Sequence, residues 1–290
     1  MKPFGILLAI VSVVIATVLT VVSYKTGETP LEWGKSWVHG QSLGPTATSQ
    51  YTETYPWLDR SDTKMIHPKG LPILMYHKIG DDKDNDAVIR EDLFRQQMHY
   101  LKDHGYHPIT MEELYDYVVN NKPVPEKPVV LTFDDGYADT YTVVYPLLKE
   151  LGFPATVFVN PGDVGTRLTW DQLKDMKDHG MTISNHGYLH KAMGEMTEEQ
   201  QRENMEKGQE GLAQHLDLAD NKWFCFPYGS MNQTSEKLAK EEGFKLALSM
   251  KSGWAHAGDD PFNLKRVWIG NAVDLKHFEE RLTTEHYSDL

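Results

Sequence analysis

From about residue 70 onward, the chain alternates short apolar runs with amphipathic stretches. Seven runs read as strands: Pro72–Tyr76, Val129–Phe133, Ala155–Val159, Met181–Ser184, Trp223–Phe226, Lys245–Ser249 and Arg266–Ile269. Each is four or five residues long, which suits a buried strand and is too short for a helix. The stretches between them carry helix signals. Thr110, Thr169 and Thr197 each stand three residues before Glu113, Gln172 and Gln200, the spacing of a capping box. Gly105, Gly152, Gly180 and Gly243 each follow a helical stretch and precede a strand, where a left-handed residue ends a helix. Strand–helix alternation over roughly 220 residues predicts one domain built on a mainly parallel α/β sheet or barrel. In such folds the chemistry gathers at the C-terminal ends of the strands.

The first 68 residues follow neither pattern. Phe4–Ser23 carries no charge and no proline, and twenty helical residues span roughly 30 Å, about the hydrocarbon thickness of a bilayer. Lys2 and Lys25 flank the run symmetrically and leave its orientation open. Residues 1–25 are therefore expected to form a signal-anchor or transmembrane helix with the remainder outside the cytoplasm. A cleaved signal ending near Val21-Val22-Ser23 would instead give a secreted protein. Residues 26–68, rich in Gly, Pro, Ser and Thr, read as an extracellular linker, and residues 69–290 as the folded domain.

The net charge of −13 argues against a nucleic-acid partner, which calls for a basic face. It suits a neutral or cationic polymer better than a polyanion. The single cysteine, Cys225, excludes an intramolecular disulfide and a cysteine-rich zinc site.

Residues able to do chemistry collect just after the apolar runs. Thr132-Phe133-Asp134-Asp135-Gly136 sets two adjacent carboxylates at a strand end, where burial is costly without a cation or a proton. One can ligate a metal while its neighbour stays free to take a proton from water. His186-Gly187-Tyr188-Leu189-His190 puts two histidines four apart, which on a helical turn would share one side and grip a divalent ion. With Asp135 they make a two-histidine, one-carboxylate set that leaves coordination positions open. Cys225-Phe226-Pro227-Tyr228-Gly229 ends another strand in a turn able to aim a backbone N–H at an oxyanion. His77 closes the first strand and is a candidate general acid. Taken singly, these are equally an Asp-Gly turn, two surface histidines, a plain turn and a strand-end histidine.

In combination they resemble the polysaccharide deacetylase (NodB-homology) family over roughly Leu71 to Leu282. Thr132–Gly136 is similar to the family's first motif without change, which implies Asp134 as catalytic base and Asp135 as metal ligand. His186 and His190 resemble its metal-binding histidines. Pro227 and Tyr228 resemble its substrate-binding turn, with the Tyr228 N–H as oxyanion donor. Three positions depart. Gly187 stands where Ser or Thr is usual and is expected to loosen the turn; Cys225 replaces an arginine; Met250 replaces the aspartate of an Asp-x-x-x-Trp motif, although Trp254 remains as a candidate wall for the acetyl methyl. His77 in the first strand and the segment Asp260–Arg266 look like the circularly permuted poly-N-acetylglucosamine deacetylases. That arrangement would let Arg266 supply the cation missing at position 225.

The resemblance implies a distorted (β/α) barrel shorter than eight repeats. It also implies a metal-dependent hydrolase that removes N-acetyl groups from an N-acetylglucosamine-containing extracellular or cell-wall polysaccharide, with a poly-N-acetylglucosamine favoured. Peptidoglycan or chitin oligomers are the alternative substrates, and a carbohydrate-binding pseudoenzyme the alternative class. The ligand set suits zinc and also accepts cobalt, nickel or iron. The expected partners are the polysaccharide and, through the N-terminal helix, a membrane.

Overall fold

The computed structural model describes residues 58–218 and 221–287. The N-terminal apolar run and most of the expected linker lie outside the described residues, so the signal-anchor and transmembrane assignments are not addressed by it. No helix among the described residues is long and apolar enough to cross a membrane.

The strands are β1 (Met65–Ile66), β2 (Ile73–Tyr76), β3 (Lys78–Ile79), β4 (Val88–Ile89), β5 (His107–Pro108), β6 (Val124–Pro125), β7 (Pro128–Phe133), β8 (Thr156–Val159), β9 (Thr182–Asn185), β10 (Trp223–Cys225), β11 (Leu246–Ser252) and β12 (Leu264–Trp268). The helices are α1 (Glu91–Asp103), α2 (Met111–Asn120), α3 (Tyr145–Leu151), α4 (Trp170–Asp178), α5 (Glu198–Leu216), α6 (Gln233–Glu241) and α7 (Leu275–Thr283).

The seven runs predicted from the sequence are β2 and β7 to β12, with ends displaced by up to three residues. They pair in parallel in the order β2-β12-β11-β10-β9-β8-β7, and β7 pairs back to β2, so the sheet closes into a seven-stranded barrel. A parallel barrel strand is covered inside by other strands and outside by helices, so both faces must be apolar. Every residue of β2, β7, β8 and β10 is buried, which explains unbroken apolar runs where an exposed sheet would alternate. One core lies between the strands and their helices and includes Phe94, Leu148, Leu173 and Phe278. A second is built from other strand residues, among them Ile73, Val130, Phe158 and Leu248, and Leu114, Tyr117 and Val118 of α2 join it.

The three expected capping boxes form at Thr110, Thr169 and Thr197, each threonine oxygen accepting from the backbone N–H three residues on. The end of the expected linker is folded onto the domain. Arg60 is buried and pairs with Glu113 of α2 at 3.1 Å, and β1 pairs antiparallel with β6.

Loss of one cap should be measurable. Thr169→Ala is expected to destabilise the domain by about 1 kcal/mol, read as a lower urea midpoint at unchanged m-value.

Candidate active site

Five strands, β2, β7, β9, β10 and β12, converge at the C-terminal mouth of the barrel. Strand β7 delivers Asp134, whose N–H donates to the Tyr76 carbonyl of β2 at 2.9 Å. The Asp134 side chain is buried, and Arg266 of β12, fully buried, meets it with two hydrogen bonds, Nη1 to Oδ1 at 2.9 Å and Nη2 to Oδ2 at 2.7 Å. The remaining guanidinium donors reach Ser249 O (2.9 Å), Thr132 Oγ1 (3.1 Å) and Cys225 Sγ (3.1 Å). All five N–H groups of the arginine therefore have partners, as a buried guanidinium requires. Burial alone would push the Asp134 carboxyl up; Arg266 overrides this and holds it below the usual carboxylate range, so it is charged at neutral pH. Arg266 thus supplies the cation beside Asp134 that Cys225 does not. The Cys225 thiol lies within 3.5 Å of Oδ2.

Asp135 follows in a left-handed conformation, φ 72°, and Gly136 is also left-handed at φ 61°. This pair of turns takes the Asp135 side chain away from Arg266 and towards the histidines. Its Oδ1 lies 3.0 Å from His190 Nε2 and 3.4 Å from His186 Nε2, and the ligand atoms of the three residues all fall within 4.8 Å of one another. His186 Nδ1 lies 2.7 Å from the Cys225 carbonyl, which can only accept, so Nδ1 carries the proton. In neutral His186 the bare Nε2 lone pair then faces a carboxylate oxygen. Asp135 Oδ1 is buried and has no hydrogen-bond partner among the described residues. Two acceptors facing each other in a buried site call for a cation between them, so these residues fit a divalent metal.

The two histidines do not share a helical turn. His186 directly follows β9, and the chain to His190 is a loop of bends. Their convergence comes from asparagines. Asn160 Nδ2 donates to the carbonyls of His186 (2.5 Å) and Gly187 (3.1 Å), while Asn204 Oδ1 of α5 accepts from Leu189 N at 2.8 Å. Gly187 tightens this loop, contrary to expectation. Its φ is +75°, and a Cβ there would lie 2.5 Å from Asn204 Nδ2.

His77 Nε2 lies 3.9 Å from Asp134 Oδ2, and its ring rests on Trp268 of β12, with centroids 4.9 Å apart. Burial lowers its pKa more than Asp134 and Asp135 raise it. Tyr228 has φ 59°, is 61% exposed, and packs its ring against His190 with centroids 4.3 Å apart, next to buried Pro227. Trp254 is placed elsewhere. It is half-buried against the outer core, and its Nε1 donates to the Arg281 carbonyl, the bond of a packing residue. The aromatic ring found beside His77 is Trp268, which had no motif to mark it. Arg167 was also missed. Its Nη1 donates to the Asp135 carbonyl at 3.1 Å and lies 3.7 Å from Asp135 Oδ2.

Comparison with known proteins gives the family. The family model described as polysaccharide deacetylase matches residues 121–247, a span that holds Asp134, Asp135, both histidines and the Pro227–Gly229 turn. YxkH of Bacillus subtilis, whose name places it among the polysaccharide deacetylases, is 31% identical over 228 residues, covering 78% of this chain and 79% of that protein. The chain belongs to the polysaccharide deacetylase family. This deacetylase is also 24% identical to the poly-β-1,6-N-acetyl-D-glucosamine N-deacetylase of Escherichia coli, covering 80% of the chain but only 42% of that longer protein. Among solved structures it is similar to Streptococcus pyogenes deacetylase PplD, in complex with acetate, at TM-score 0.70 and 30% identity, covering 75% of this chain and 100% of that one. It is likewise similar to IcaB from Ammonifex degensii, at TM-score 0.66 and 27% identity, covering 76% and 98%.

The buried ion pair generates a stability prediction. Arg266→Met leaves the Asp134 charge buried and unpaired and is expected to cost the deacetylase about 3–5 kcal/mol in denaturant unfolding. Pairing it with Asp134→Asn should recover part of that loss.

Proposed function

We propose that this deacetylase uses a divalent ion, zinc by its ligand chemistry, to remove N-acetyl groups from a polymer of N-acetylglucosamine. The observation that carries the reading is the unpartnered Asp135 Oδ1 facing His186 and His190 beside a second carboxylate, Asp134, that is already neutralised by Arg266. One aspartate is thus left for the ion and the other for the proton. Asp135, His186 and His190 would hold the ion. When bound, it supplies Lewis-acid polarisation of the acetyl carbonyl and lowers the pKa of water in the site.

Asp134 takes the proton from the attacking water. Arg266 keeps this carboxylate ionised and fixes both its oxygens, so the base is oriented before the substrate arrives. The Tyr228 N–H stabilises the oxyanion of the tetrahedral intermediate, a role typically worth about 3–4 kcal/mol. His77, on the Asp134 side, protonates the departing amine. Its lowered pKa makes it a stronger acid once protonated. Trp268 holds the imidazole in place and offers an apolar surface for the acetyl methyl.

A poly-β-1,6-linked substrate is favoured by the names of the Escherichia coli and Staphylococcus aureus relatives, each 24% identical to this chain. We further propose that the N-terminal apolar run places the catalytic domain outside the cytoplasm, where such polymers lie; recovery of the full-length chain in the membrane fraction, accessible to external protease, is the corresponding observation. Deacetylation would leave free amines and a more cationic polymer.

Acetate release separates the alternatives. Defined poly-β-1,6-N-acetylglucosamine oligomers should release acetate faster than chitin or peptidoglycan fragments, a chelator should stop the reaction, and zinc should restore it. Asp135→Ala should lose bound metal and turnover together. Asp134→Asn should keep the metal and lose turnover. Wild-type rates in Asp134→Asn contradict the assignment of the base, and no acetate from any of the polymers points to a carbohydrate-binding pseudoenzyme.

A further inference from the structure

Arg167 belongs to none of the motifs, yet it makes three contacts with the loop that carries both aspartates. It directly precedes Leu168, which is buried in the core, and the Thr169 cap of α4, and it lies inside the turn closed by the Gly165 N–H donating to the Leu168 carbonyl at 2.7 Å. Its backbone is therefore held by that turn. The guanidinium Nη1 donates to the Asp135 carbonyl at 3.1 Å and faces Asp135 Oδ2 at 3.7 Å. The guanidinium carbon lies 4.2 Å from the centroid of the Tyr137 ring, two residues further along the same loop.

A left-handed aspartate is strained, and it persists only where its surroundings over-determine it. On its Oδ1 side, Asp135 meets the two imidazoles, and neutral His186, with its Nδ1 proton on the Cys225 carbonyl, turns a lone pair towards that oxygen. The restraint on its carbonyl comes from Arg167.

We propose that Arg167 is a positioning residue for the metal-binding carboxylate. It locks the left-handed backbone of Asp135, engages Oδ2, and leaves Oδ1 alone to the ion, so the ligand is oriented before the metal arrives. The inference rests on the metal-dependent reading of the site. The sign of the effect separates positioning from charge. A cation this close to a divalent ion repels it, so if Arg167 acted only through its charge, removing it would tighten metal binding. If it acts by orienting the ligand, removing it weakens binding, as loss of outer hydrogen-bond partners of metal ligands typically does, by about 10–100-fold.

The test is zinc affinity of the metal-stripped full-length chain, by competition with a chromogenic chelator. The fold of each variant is checked in the metal-free state by circular dichroism and thermal unfolding. Arg167→Met should bind zinc at the wild-type stoichiometry but about 10–100-fold more weakly, and release it faster to excess chelator. Arg167→Lys keeps the charge but not the fork of donors, so it should also bind more weakly than wild type, and it carries the test if the methionine variant does not fold. Unchanged or tighter binding in a folded variant overturns the inference and leaves the metal site standing. Failure of the wild-type chain to bind zinc overturns both.

Discussion

The site depends on separating the charges of two adjacent aspartates. Asp134 and Asp135 leave the same strand one peptide apart, and two carboxylates this close in a buried mouth would ordinarily drive one of them to protonate. The backbone prevents this by turning left-handed at Asp135, which sends the two side chains to different partners. Asp134 meets a buried arginine that spends every donor on it and its neighbours. Asp135 meets two imidazoles, and in neutral His186, whose Nδ1 proton goes to the Cys225 carbonyl, the facing Nε2 is an acceptor that cannot satisfy it. Everything proposed about the reaction follows from that asymmetry, because it leaves one carboxylate ionised and oriented and the other in need of a cation.

The barrel supplies the precision. Arg266 comes from β12 and Asp134 from β7, strands that do not pair with each other and are joined through β2. Closure of the sheet between β2 and β7 is therefore what brings the arginine to the aspartate. The same geometry explains Cys225 on β10. Its small thiol leaves room for a guanidinium that enters from β12. The cation paired with Asp134 comes from a position 41 residues beyond Cys225 in the sequence.

Much of this was legible in the sequence because it is written in short-range pattern. Strand runs, capping boxes at Thr110, Thr169 and Thr197, and the aspartate and histidine motifs all lie within a few residues of their own signals. The family resemblance, which leaves position 225 without its usual arginine, pointed to Arg266 as a cation for Asp134, though a plain strand-end arginine fitted the sequence equally; the two side chains meet in the structure. The rest was hidden for physical reasons. Strands β1, β3, β4, β5 and β6 are two residues long and have no periodicity to detect. The spacing of His186 and His190 suggested a helical turn, whereas asparagines from two other segments bend the loop. Gly187 looked like a loosening substitution until Asn204 was seen in the space a side chain would need. Trp254 was favoured by a motif, and Trp268, which has none, lies beside His77. Arg167 reaches Asp135 across 32 residues, a contact that no local pattern encodes.

The central claim is that one divalent ion is seated between Asp135 and the two imidazoles. Its most direct test is a zinc-soaked crystal with diffraction recorded on both sides of the zinc absorption edge. The account predicts a single strong anomalous peak roughly 2.0–2.2 Å from Asp135 Oδ1 and from one nitrogen of each of His186 and His190. A site that stays empty at saturating zinc, or a peak held by other side chains, would contradict it.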